Sequence, residues 1–253
     1  MQGFGNEKNG LEVPVTTRSS LISPRDALAS SPNASEESDT MLALTAFSAL
    51  AADIPLVSFS SDAPSTLTHK WSALNDPVMG GQSTSRVAVE NNVLNFTGTC
   101  AIVPSLKAPG FITAVAGRGF FSRETFVDVS SCKGLTITAK DYAAGYKGYR
   151  ISFGTAKPPG GKFFAQGYKA DLHPTVGAFG SVSIPFTNFT DYWDDATGKA
   201  IHTCAERQDY CPDQRTLTNM KTMSIWAEGV EGDIHLEVEK ISGYGCGSVE
   251  ESK

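Results

Sequence analysis

Five cysteines, four histidines and scattered acidic pairs are the residues of this chain that chemistry could use, and their spacing decides which chemistries remain. The adjacent carboxylates Asp194-Asp195 and Glu250-Glu251 have the composition of a glycosidase pair. Such an enzyme needs two facing carboxyl groups about 5 to 10 Å apart, and neighbours in a loop are solvated rather than opposed. His69, His173, His202 and His235 fall in no HxH or HExxH spacing, and no G-x-S-x-G elbow is present to raise a nucleophilic serine. Cysteines 100, 132, 204, 211 and 246 form no CxxC or CxxH, which argues against a thiolate metal site. No Asp-rich loop carries a calcium signature. The expectation is a chain with no catalytic residues, no metal and no cofactor.

Two short stretches keep a claim to binding or structure. The first is "WSALNDPVMGGQS", in which Gly80-Gly81 allows positive φ or close approach, and Asn75 and Asp76 can bond their own backbone two residues on. Phosphate cradles need a helix N-terminus after the glycines, and "QSTSRVAVE" reads as strand, so a nucleotide loop is excluded. Trp71, Asn75, Asp76, Val78, Met79, Gly80, Gly81 and Ser83 are the candidates here, either as a rim loop that touches a partner or as a turn closing one end of the fold under a packed Trp and Met. The second stretch is "TDYWDDATGK" with "CAERQDYC" after it. Tyr192 and Trp193 in that polar setting are expected at the surface, while Trp226, alternating with Ile225 in a strand pattern, is expected in the core. Cys204 and Cys211 bracket a polar loop and are a disulfide candidate; the connectivity of Cys100, Cys132 and Cys246 is open. A disulfide would imply an oxidising compartment.

The elements that must position these residues are strands. From residue 56 the chain runs in short β-branched and aromatic segments separated by Gly, Pro, Asn and Asp: "LVSFS", "TSRVAVE", "VLNFTG", "FITAVAG", "GLTITAK", "YRISFGT", "FFAQGYKA", "SVSIPF", "MSIWAE" and "DIHLEVEKI". Asn91-Asn92 supplies a two-residue hairpin turn tolerant of positive φ. In "HLEVEKI" the alternation puts Leu236 and Val238 on one face but Ile241 on the other, so the register must break or the strand must lie at an edge. Ten strands without a long helix predict an all-β sandwich over 56–245, with a polar tail at 246–253.

At 253 residues, 40% hydrophobic, the chain can bury a core, and its net charge of −6 without clustered Lys or Arg argues against a nucleic-acid partner. No apolar run reaches 18 residues, the length of a membrane-spanning helix. Residues 1–55 are irregular and polar apart from an apolar segment at 41–52 followed by an A-x-A-like site. That layout suggests a two-step organellar leader, with a docked helix as the alternative.

The residues also carry a resemblance. Trp71 followed by Asn75-Asp76, then Val78-Met79-Gly80-Gly81 and Ser83, resembles the opening motif of the complex I intermediate-associated protein 30 family. "NFTGT", "CKGLTITAK", "GYRISFG", "FFAQGYKADL", "VSIPFTNF" and "LTNMKTMSIWAEGVEGDIHLEVEKI" continue the likeness in order to Ile241. The resemblance implies a galactose-binding-domain-like β-sandwich of jelly-roll type with no agreed catalytic residues. It implies a non-enzymatic assembly or auxiliary factor that binds protein subunits of a membrane electron-transfer complex and reaches the membrane only through that complex. The "CAERQDYCP" insertion is similar to plastid members, which points to a photosystem, the chloroplast and the thylakoid lumen, with the mitochondrion as the alternative. A carbohydrate-binding module is the second functional reading.

Overall fold

Period-two patterning becomes fourteen strands among the residues that the computed structural model describes, 52–76, 80–117, 125–143, 145–158 and 166–247. They are β1 (Ala52–Ser58), β2 (Trp71–Asn75), β3 (Thr84–Glu90), β4 (Val93–Cys100), β5 (Ile102–Val103), β6 (Ala108–Pro109), β7 (Phe111–Ala116), β8 (Gly134–Asp141), β9 (Tyr149–Phe153), β10 (Tyr168–Asp171), β11 (Thr175–Val176), β12 (Gly180–Pro185), β13 (Met223–Glu228) and β14 (Gly232–Cys246). The helix α1 spans only Gln214–Thr218. Residues 1–51 of the expected leader, with its apolar segment up to Ala51, lie outside the described residues, as do Val78, Met79 and the tail from residue 248; residues 52–55, expected in the leader, belong to β1, and Cys246, expected in the tail, ends β14. Among the described residues no helix is long and apolar enough to cross a membrane.

The strands form two large sheets. One runs β11-β8-β14-β4-β3, with β1 also paired to β14 and β12 to β8; the other runs β10-β9-β13-β7-β2. Every pairing within them is antiparallel except β11 on β8. The core lies between the facing sides. Leu94, Phe96, Leu135, Ile137, Leu236 and Val238 come from the seven-stranded sheet, and Ile112, Ala114, Tyr149, Ile151, Met223 and Ile225 from the five-stranded one. Each fully buried Leu, Ile or Phe side chain contributes about 1.5 to 3 kcal/mol, and this alternation fixes which face of each strand turns inward. The expected all-β sandwich is therefore the fold.

Two local expectations are met. Asn91 and Asn92 take φ of 53° and 63° and close the β3–β4 hairpin with Glu90 opposite Val93. In β14 the register on β8 slips between Val238 and Lys240, leaving Glu239 as the extra residue of a bulge. That slip lets Leu236, Val238 and Ile241 all reach the core. The strand is central, so the break in register, and not an edge position, resolves the pattern. Trp71–Asn75, expected as loop, is instead the edge strand β2, pairing Trp71 with Ala116 and Asn75 with Ile112.

Candidate functional site

On the far side of the five-stranded sheet, the residues that alternate with the core are not a solvated face. In β10 Lys169 and Asp171 alternate with the core residues Tyr168 and Ala170; in β9 Arg150 and Ser152 alternate with Tyr149, Ile151 and Phe153. In β13 Ser224, Trp226 and Glu228 do the same. The register lines them up: Asp171 opposes Arg150, which opposes Trp226, and Lys169 opposes Ser152, which opposes Ser224. Lys169, Arg150, Ser152, Trp226 and Glu228 are all buried.

Their geometry is a closed cation cage. Lys169 Nζ lies 2.7 Å from Glu228 Oε1, 3.5 Å from the centroid of the Trp193 ring and 3.8 Å from that of Trp226. Both indole N–H groups are engaged: Trp193 Nε1 donates to Gly167 O at 3.0 Å and Trp226 Nε1 to Ser152 Oγ at 2.7 Å. Burial draws the Lys169 ammonium down from 10.5 to about 8, and the Glu228 carboxylate opposes that shift. Gly198 stands against the Glu228 carboxylate where any Cβ would collide with it. Arg150 Nη1 donates to the carbonyls of Gly148 and Glu228 at 3.2 Å each, and its Nε sits 3.1 Å from Asp171 Oδ1 without the alignment of a hydrogen bond.

The segment that supplies Trp193 is built around Cys204–Cys211, which the structure joins. Trp193 bridges Ala200, the Ile201 amide donates to Tyr192 O, and Asp191 N to Tyr210 O. Tyr192 packs on Tyr210 at 4.6 Å and on His202 at 5.7 Å. Trp193, expected at the surface, is buried because its ring caps Lys169; Tyr192 is half-buried in this aromatic packing. Trp226 is buried as expected, but on the outer side of its sheet under Trp193, not between the sheets. Cys132 pairs with Cys246, tying the end of β14 to the segment before β8, and Cys100 is free and buried, its thiol pushed up to about 11 by burial.

The opening motif occupies a different place. Trp71 faces the core, 5.7 Å from Phe59. Asp76 is buried at the end of β2, its amide donating to Phe111 O, and its carboxylate fills the space that a Cβ on Gly81 or Gly110 would take. Ser85 Oγ donates to Asn75 Oδ1, and Ser83 Oγ accepts from the Ala101 amide at 3.0 Å. Gly80 holds φ of 81° with open space where a side chain would be. The described part of the motif is the edge strand β2 with packed residues after it, separate from the Lys169 cage.

Beside the cage a cavity of about 400 Å³ is lined by Lys169, Asp171, His173, Ser183, Asn188 and Thr203 among others. Among the described residues no group of three His, Cys, Asp or Glu side chains is arranged to hold a metal. Lys169, Glu228, Arg150 and Asp171 were not singled out from the sequence. The available signal was that each is a charged residue alternating with core positions in a strand pattern, beside Ser152 in β9, beside Ser224 and Trp226 in β13, and beside each other in β10.

Comparison with known proteins adds the lineage. A family model described as complex I intermediate-associated protein 30 (CIA30) matches residues 57–208. No curated protein matches the sequence. Among solved structures, a family 11 carbohydrate-binding module from Clostridium thermocellum, in complex with a β-1,3-1,4-mixed-linked tetrasaccharide, aligns over 78% of this chain and 98% of its own at 12% identity, with a TM-score of 0.48. An agarase aligns over 75% of this chain and 26% of its own at 11% identity, with a TM-score of 0.44. The family match spans more than half of the sequence and begins ahead of the Trp71 motif, and the chain belongs to the complex I intermediate-associated protein 30 family.

Proposed function

We propose that this protein is a non-enzymatic assembly or auxiliary factor that binds protein subunits of an organellar electron-transfer complex. The observation that carries this reading is the closed state of the chemistry it contains. The one strongly perturbed cation among the described residues, Lys169, is buried, paired with Glu228 and capped by two indoles, so it serves the rigidity of the sheet instead of meeting a substrate. What such a domain offers a partner is its surface. Family membership supplies the kind of partner, since the family is named for association with intermediates of complex I.

A photosystem in the thylakoid lumen is the finer version of the proposal. Two disulfides, Cys204–Cys211 and Cys132–Cys246, support an oxidising compartment, and the insertion around the first supports a plastid member. The mitochondrial alternative keeps the complex named by the family. The carbohydrate-binding reading needed Trp193 as part of an open stacking platform, and that ring is turned onto Lys169.

Co-migration on blue native gels after gentle solubilisation of thylakoid and mitochondrial membranes tests the proposal. Comigration with a photosystem or with a complex I intermediate supports it and decides between the two. A protein that runs only as a free monomer from both membranes overturns it.

A further inference from the structure

Val89 is 54% exposed although it lies in a strand, and that strand, β3, is the end of its sheet. β3 pairs with β4 on one side, from Thr84 opposite Thr99 to Glu90 opposite Val93, and among the described residues no strand pairs with its other side. A two-residue turn at positive φ makes the residues that flank it, Glu90 and Val93, a hydrogen-bonded pair. Alternation then turns the N–H and C=O groups of Arg86, Ala88 and Glu90 toward β4, and those of Val87 and Val89 outward from the edge of the sheet. Outward backbone groups of this kind are a template for another strand.

The side chains of this edge sort by face. Val87 packs against the core, so Val89 shares its face, and Arg86, Ala88 and Glu90 lie on the outer side of the sheet. The Arg86 and Glu90 side chains are 73% and 44% exposed, and their 3.9 Å contact along the strand is a surface pair, worth little and readily exchanged. Ser85, just before them, is held by its bond to Asn75 of β2, which leaves Arg86 to Glu90 as the open length of the edge. A second β3 laid antiparallel on that length by a two-fold axis must set outward backbone groups opposite outward ones. Centring on Ala88 does so with Arg86 opposite Glu90 of the second copy, Glu90 opposite its Arg86, and Val87 opposite Val89 in both directions. Centring on Val87 or Val89 sets one of the charges opposite Ala88, and centring on Arg86 or Glu90 opposes like charges.

We propose that β3 is a self-association edge, on which two copies of this chain pair antiparallel about Ala88 and join their seven-stranded sheets. Val87 and Val89 exchange N–H···O=C bonds with Val89 and Val87 of the second copy, the exposed Val89 side chain gains a β-branched neighbour, and each Arg86 meets a Glu90. Opposite-charge and β-branched pairs directly across an antiparallel ladder are stabilising, and a patch complementary to itself is what a two-fold interface requires. Charges on an edge strand ordinarily keep other strands away. Here their spacing admits one strand, a copy of the same sequence, and sets like charges against other registers. So short an edge buries less area than a standard interface, and the dimer is reversible. The proposal needs only the edge of β3 and stands apart from the function proposed above.

Sedimentation velocity of the full chain over a dilution series tests it, with far-UV circular dichroism to show that each variant is folded. The wild type is expected to pass from monomer to dimer as concentration rises, and less readily at high salt. Arg86→Glu or Glu90→Arg alone sets like charges opposite each other at two symmetric places, and each should raise the dimer dissociation constant about tenfold. Equal amounts of the two single variants regain both opposed pairs in the mixed dimer, so mixing should recover association of wild-type strength, as should the double exchange Arg86→Glu with Glu90→Arg. Recovery on mixing separates this interface from the contact along one strand, which mixing cannot repair. Amide exchange at Val87 and Val89 should slow as the wild type is concentrated, while exchange at Ala88, already bonded to β4, should not change. A wild type that stays monomeric, single variants that associate as well as the wild type, a mixture no tighter than its components, or amides at Val87 and Val89 that gain no protection would each overturn the proposal.

Discussion

Lys169 and Glu228 meet at 2.7 Å in a site closed to solvent, from strands that do not adjoin, with the indoles of Trp193 and Trp226 on the ammonium. Removing one partner of a buried pair leaves the other charge uncompensated, at about 3 to 5 kcal/mol, while removing both together is often neutral. Lys169→Met and Glu228→Gln are each expected to lower stability by that order in urea unfolding, and the double variant to recover most of the loss. A double variant as unstable as the sum of the singles would mean that the two side chains do not act as a pair.

The same lysine sets a pH dependence. Its value falls from 10.5 in the unfolded chain to about 8 in the fold, so between those values the unfolded state holds the proton that the folded state has lost. Stability from this group therefore rises with pH from about 8 to 10.5, and the cost of charging Lys169 is fully present below 8. The stability of the wild type relative to Lys169→Met should increase across that window, and tryptophan emission should shift near pH 8 in the wild type alone. A flat difference between the two proteins from pH 7 to 10.5 would contradict the assignment.

The two disulfides should differ in weight. Cys204–Cys211 closes a separation of 7 residues and Cys132–Cys246 one of 114. Loop-closure entropy gives about 2 to 3 kcal/mol for the first and about 5 for the second. Cys204→Ser with Cys211→Ser should leave the protein folded but raise acrylamide quenching of tryptophan, because the loop that holds Trp193 on Lys169 is no longer tied. Unchanged quenching in this double variant would show that the loop holds itself by its own hydrogen bonds.

Two glycines near the motif, Gly80 within it and Gly110 packed against its Asp76, separate by what lies beside them. Gly110→Ala would place a Cβ on the Asp76 carboxylate and the Ser83 hydroxyl, and overpacking of this kind costs about 1 to 3 kcal/mol. Gly80→Ala meets no atom but must hold φ of 81° with a side chain, at about 1 kcal/mol. Thermal melts of the two variants are expected to rank Gly110→Ala as the less stable. The opposite ranking would mean that the backbone conformation at Gly80 matters more than close packing of Gly110 on Asp76.

The sequence alone determined the strands whose neighbours alternate cleanly. "TSRVAVE" is β3 residue for residue, "MSIWAE" is β13, and the Asn91-Asn92 turn joins β3 to β4, because a period of two and a positive-φ pair are local properties. The misplaced Ile241 called for either a break in register or an edge position, and the bulge in β14 is the first of these. Cys204 and Cys211 were close enough in sequence to be paired without a fold.

Only the tertiary structure could decide the rest. Lys169, Arg150, Trp226 and Glu228 lie on three strands, and their meeting depends on the register of β10 on β9 and β9 on β13, which no single strand encodes. Trp193 looked exposed because its neighbours are polar; the loop folds that polarity outward and turns the ring in. Cys132–Cys246 joins residues 114 apart, a pairing fixed only when β14 runs back past the start of β8. Local pattern sets which way each side chain points, but the pairing of strands sets what it meets, and the cage and the second disulfide both belong to pairing.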